Sequence, residues 1–168
     1  LHARGKRALR AFVETGGVCG GGGYFVYFHG QFDKPFASFG TYQGGDAKFN
    51  LPGPDMTPAD FDAQFKKLPT KQIVFVNTAS ASGPFVEALS GPGRTIVTAT
   101  RNGAEQYATL FGGFFIDALT SDAADADKNK RITVLEAFNA AKIDTKNAYE
   151  REGLMITEHP LLEDGGDG

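Results

Sequence analysis

The stretch from Asp125 to Glu136, DADKNKRITVLE, carries side-chain oxygens at its first, third, fifth, ninth and twelfth positions: Asp125, Asp127, Asn129, Thr133 and Glu136. Loops of twelve residues between two helices hold calcium with this spacing. They take a backbone carbonyl at the seventh position and close the shell with both oxygens of a carboxylate at the twelfth. Arg131 would supply that carbonyl, and Ile132 is the apolar residue expected at the eighth position. Lys130 departs from the pattern, because it stands where glycine normally makes a left-handed turn that costs a side-chain-bearing residue energy. The expectation is one calcium ion of weak to moderate affinity. The plainer alternative is an acidic, solvated helix entry. Glu163, Asp164 and Asp167 in the tail form too incomplete a set for a second site.

A second group of residues has the types needed for nucleophilic catalysis. His29 follows the apolar run YFVYF, and Ser80 and Ser82 follow IVFVN in the sequence VNTASASG. An imidazole can act as general base, but a serine hydroxyl needs that base tightly bonded and oriented by a third group. Only Asp33 and Asp46 stand near His29 in the chain as candidates for that third role. The alternative is that His29 caps a strand and that two small serines suit a sharp turn. Arg101 and Glu105, four positions apart, can form a structural ion pair. Cys19 lies in the glycine-rich run GGVCGGGG, which lacks the Lys-Ser/Thr of a phosphate-binding loop and precedes a strand instead of a helix. It reads as a connector.

The elements that must position these residues follow from periodicity. Residues 3–14 form an amphipathic helix with Arg4, Lys6, Arg7 and Arg10 as its solvated face. Residues 24–28, 73–77 and 95–100 are short apolar runs that read as buried strands. Between the first two lies a long excursion, residues 30–56, with a possible hairpin. A helix then starts at Thr57, with Pro58 in its first position and Asp60 near its positive end, and runs to Leu68 before Pro69. A short helix covers Pro84 to Leu89, a longer one Ala104 to Leu119, and another runs from about Thr133 to Glu152. Strands separated by helices predict an α/β fold with a mainly parallel sheet covered on both faces. The tail LLEDGGDG reads as acidic and loose. Residues 1–122 are expected as the α/β core, 123–152 as the calcium loop with its helix, and 153–168 as the tail.

Composition narrows the class. The 168 residues suffice for one domain, and 41% hydrophobic with 22% charged residues is ordinary for a globular protein. A net charge of −3 gives no reason to expect nucleic acid. The single cysteine rules out an intrachain disulfide and a cysteine zinc site. No apolar run approaches the ~20 residues of a membrane span. The opening Leu1-His2-Ala3-Arg4 has neither an initiator Met nor an apolar signal core, so the chain reads as a piece of a longer protein. An exported location, periplasmic or extracellular, is favoured over the cytoplasm.

The order of strand, FHG (28–30), long loop, helix, strand, VNTASASG (76–83) and TATRNGAE (98–105) resembles the clan of caspases, gingipains and legumains. The likeness covers about residues 5–120 and is nearest to bacterial legumain-like proteins. It implies a caspase-type three-layer sandwich lacking its first strands, with the general base at His29. It places Ser80 where the family has its nucleophilic cysteine, and Arg101, Glu105 and Ser82 around a substrate pocket. A thiol ionises near neutral pH and tolerates a loosely placed base, whereas a hydroxyl does not. The resemblance therefore implies a catalytically degenerate domain, serving with its EF-hand-like loop as a calcium-binding assembly or interaction module for a protein or peptide partner. The alternatives are an active endopeptidase using a His29/Ser80 dyad and a purely structural subunit of a larger assembly.

Overall fold

The computed structural model describes residues 18–19, 23–28, 40–50, 54–69 and 72–165. The expected first helix, most of the glycine-rich run and His29 lie outside them. Strands β1 (Val18–Cys19), β2 (Gly23–Phe28), β5 (Ile73–Asn77), β6 (Arg94–Thr98) and β7 (Leu161–Glu163) form one sheet in the order β1-β2-β5-β6-β7. β2, β5 and β6 are parallel, as their separation by helices requires, while β1 and β7 add antiparallel edges. Strands β3 (Gly40–Gln43) and β4 (Asp46–Phe49) form a separate hairpin within the expected excursion. Gly44 and Gly45 make its turn at φ of +60° and +96°, the left-handed values that tight two-residue hairpins need and glycine supplies without strain.

Helices cover both faces. Alternation along β5 sends Phe75 to one side and Val76 to the other. On the first side, α1 (Pro58–Phe65) and α2 (Pro84–Leu89) bring Phe61, Phe65, Phe85 and Leu89 against Phe75 and Ile96. The Phe61 ring lies 5.1 Å from Phe75 and 5.8 Å from Phe85. Each fully buried phenylalanine is worth roughly 1.5–3 kcal/mol of transfer free energy, so this aromatic nest holds the two helices down. On the second side, α3 (Phe111–Ala118) and α4 (Val134–Arg151) pack Phe111, Phe115 and Phe138 over Val76 and Val97. The fold is α/β.

Several boundaries differ from the sequence reading. β6 is Arg94–Thr98, where the sequence predicts 95–100. α1 begins as expected, with Thr57 and Asp60 forming a reciprocal capping box, but ends at Phe65, although Leu68 is still buried. The helix expected from Ala104 starts only at Phe111, because the Glu105 side chain is drawn into bonds with the loop at 101 and the segment at 159. The tail is not loose throughout. Leu161–Glu163 pairs with Ile96–Thr98 as the sheet's far edge.

Candidate functional site

The carboxyl ends of β2 and β5 lie side by side, with Phe28 in register with Asn77. His29, the next residue after Phe28, lies outside the described residues. Asn77 starts the turn after β5: its Oδ1 accepts the N–H of Ala79 at 3.1 Å, and its Nδ2 has no hydrogen-bond partner among the described residues although the residue is 1% exposed. Ala81 follows at φ +52°, a left-handed value unusual for a residue with a Cβ. Its N–H donates to the Glu105 carbonyl at 2.7 Å, which holds the turn in that conformation.

Ser80 is 3% exposed, and its hydroxyl donates to the carbonyl of Gly40 at 3.3 Å. The β3–β4 hairpin thus sits on the turn. A Cβ at Gly40 would come within 1.9 Å of the Ser80 carbonyl oxygen, so the contact leaves no room for any side chain. Met56 bridges to Phe49 at the hairpin's other end, and Phe49 packs edge-on to Phe61, which ties the hairpin to α1.

Ser82 is fully buried. Its hydroxyl lies 3.2 Å from that of Thr100, which also accepts the Gly83 N–H at 3.0 Å. Ser82 therefore belongs to the joint between the β5 turn and the end of β6, not to an open substrate pocket. Glu105 is likewise occupied. Its Oε1 pairs with Arg101 Nε at 3.3 Å and His159 Nδ1 at 2.6 Å, and its Oε2 accepts the backbone N–H groups of Arg101 and His159. Arg101, one of the three expected pocket residues, lines a cleft with Tyr42, Glu87 and Glu163.

Two residues of this region escaped the sequence reading. Glu158 is 2% exposed and accepts the N–H of Leu110 at 2.6 Å, the N–H of Phe111 at 3.1 Å and the Tyr149 hydroxyl at 3.1 Å. It caps the start of α3 from 47 positions away. Burial pushes its carboxyl above the ordinary carboxylate range, against the opposing pull of the two amides and the tyrosine. His159 beside it is fixed by Glu105. Nothing local in TEHP announces either role, because both partners are remote in the chain.

The acidic loop comes closest to its expectation. One carboxylate oxygen each of Asp125, Asp127 and Glu136 lie within 4.8 Å of one another, a cluster able to hold a metal ion. A 3₁₀ turn at Asp122–Ala124 enters the loop, in place of a helix running directly into it, and α4 leaves it. Asp125 accepts the N–H groups of Asn129 and Lys130, and Asn129 accepts that of Arg131, so the backbone wraps inward around the acids. Lys130 adopts φ +66°, the conformation expected of a glycine at that place, and Lys128 adopts +59°. Thr133 caps α4 and exchanges bonds with Glu136, whose Oε1 also accepts the N–H of Ala126 at 2.9 Å. The Thr133 N–H first, and its hydroxyl second, hold the Glu136 carboxyl below its ordinary range.

No helix among the described residues is long and apolar enough to cross a membrane. Comparison of the chain with protein-family models, with curated proteins and with solved structures finds no match.

Proposed function

We propose that this chain is a calcium-binding interaction module on a caspase/legumain-like scaffold, in which Ser80 keeps the nucleophile's place without a peptidase's chemistry. The convergence of Asp125, Asp127 and Glu136 carries the calcium part of this reading. Its donors are hard oxygens, with no sulfur or imidazole among them, which suits calcium and disfavours zinc or copper. Asp125, Asp127, Asn129, Thr133 and Glu136 would hold the ion with the Arg131 carbonyl, and the ion would fix the entry of α4 on the core. The parallel run β2-β5-β6 and the place of Ser80 just past β5 support the scaffold reading. The buried, engaged hydroxyl of Ser80 supports the absence of catalysis over a His29/Ser80 peptidase.

Calorimetric titration of calcium into metal-free protein tests the proposal, with melting compared in calcium and in chelator. Ligand that binds only the folded state stabilises it by about 2.7 kcal/mol at a hundredfold excess over Kd. Saturable heat and a raised melting temperature are expected, both lost in Glu136→Gln. Identical melting in calcium and chelator would overturn the calcium reading. Cleavage of a mixed peptide library by the wild type, absent in Ser80→Ala, would restore the peptidase. Purification in a fixed ratio with another chain, with no calcium response, would favour the structural subunit.

A further inference from the structure

We propose that the cleft beside β7 binds an extended peptide of a partner protein, paired with the open edge of β7 and carrying a lysine or arginine between Glu87 and Glu163. β7 ends the sheet: one side pairs with β6, and among the described residues no strand pairs with the other. An open edge presents unpaired backbone groups, the template to which an extended peptide adds as another strand. Alternation gives its two faces different work. Leu162 packs with the Phe111 and Phe115 cluster, while Leu161 and Glu163 line the cleft with Tyr42, Pro84, Glu87 and Arg101.

The cavity of about 770 Å³ is large enough for a side chain and its flanking backbone. Tyr42 forms a fixed wall, because its ring lies where a Cβ on Gly103 would be, 2.1 Å from the nearest ring atom. The charge balance selects the occupant. The Arg101 guanidinium is paired with Glu105, which is shared with His159. Glu87 has no ion-pair partner among the described residues, and Glu163 accepts the Gly165 N–H at 3.0 Å and pairs with no cation there. Two carboxylates without a counter-charge, beside Pro84, Leu161 and the Tyr42 ring, match a long cationic side chain whose methylene stem lies on apolar surface.

Fluorescence polarisation with a labelled, end-blocked heptapeptide of alternating valine and threonine around a central lysine tests this in chelator, independently of calcium. The lysine peptide should bind at least about tenfold more tightly than its central-glutamate counterpart. The double change Glu87→Lys with Glu163→Lys, at one exposed and one half-buried position, should reverse that order, and methylation of alternate peptide amides should abolish binding. Absence of binding, indifference to the charge reversal, or a wild-type dimer that Glu163→Lys dissociates would each overturn the proposal. The inference deepens the interaction-module reading and rests on it only in that bound peptide stays intact. Mass spectrometry of the same samples keeps the two apart. Cleaved peptide would sink the non-catalytic reading, whereas intact, unbound peptide would sink the cleft.

Discussion

The Ser80 hydroxyl donates its hydrogen bond to the carbonyl of Gly40, a residue 40 positions earlier on the hairpin that covers it. The one donor of the best nucleophile candidate is thus spent on the protein's own backbone, away from solvent. Two consequences can be measured. A fluorophosphonate should leave Ser80 unlabelled in the native protein, as read by intact mass. Gly40→Ala should unseat the hairpin, because its Cβ would meet a backbone oxygen at 1.9 Å that has no rotamer by which to retreat. Overpacking of this kind costs about 1–3 kcal/mol. Labelling of Ser80 in the wild type, or a Gly40→Ala variant that melts like the wild type, would show that the hairpin does not seal the turn.

Glu158 supplies a pH dependence. Its carboxyl is raised by burial, so the folded state binds its proton more tightly than the unfolded state does. The resulting stabilisation is fully present below the unfolded value, near about 4.3. It is lost as the pH rises through the higher folded value. The stability of the wild type minus that of Glu158→Gln should therefore fall as pH climbs from about 4 toward neutrality. Melting curves of both proteins across that range read the slope directly. Parallel curves would mean that Glu158 titrates as it does in the unfolded chain. The glutamine should also lower stability at every pH, since its amide cannot accept the Phe111 N–H that the second carboxylate oxygen accepts.

What the sequence made legible is local. Thr57-Pro58-Ala59-Asp60 and Thr133-Val134-Leu135-Glu136 each contain both halves of a capping box, and both helices start where those residues put them. The spacing of Asp125, Asp127 and Glu136 likewise needed only one loop to bring the three acids together. What stayed hidden depends on partners far along the chain. Glu105 reads as a helical residue until His159, 54 positions later, takes its side chain. Leu161–Glu163 is too short and too acidic in context to announce a strand, and only pairing with β6 makes it one. Ser82 looked available because small serines suit a turn, but the Thr100 hydroxyl at the end of β6 closes over it.

Lys130 offers the sharpest separation of the loop's strain from its ligation. It holds φ +66°, where a side chain costs roughly 1–2 kcal/mol relative to right-handed backbone. Its N–H donates to Asp125 Oδ2 at 2.8 Å, so the strained turn and the first acid of the cluster are formed together. Lys130→Gly keeps that N–H and removes the Cβ, and it should raise the melting temperature in chelator and tighten calcium binding as well. Glu136→Gln should behave differently. Glutamine serves as well as glutamate in a capping box with Thr133, so the start of α4 survives in chelator. The carboxylate that closes the ion's shell is gone, so the calcium-induced rise in melting temperature should vanish. Thr133 holds the Glu136 carboxyl below its ordinary range, so its charge is present above the unfolded value and disappears only as pH falls through the lower folded one. Calcium binding in the wild type should accordingly persist into mildly acidic buffer, as followed by calorimetry at successive pH values. A Glu136→Gln protein that still responds to calcium would separate the acidic cluster from any role in holding the ion, and a Lys130→Gly protein less stable in both buffers would show that the left-handed turn stores no strain.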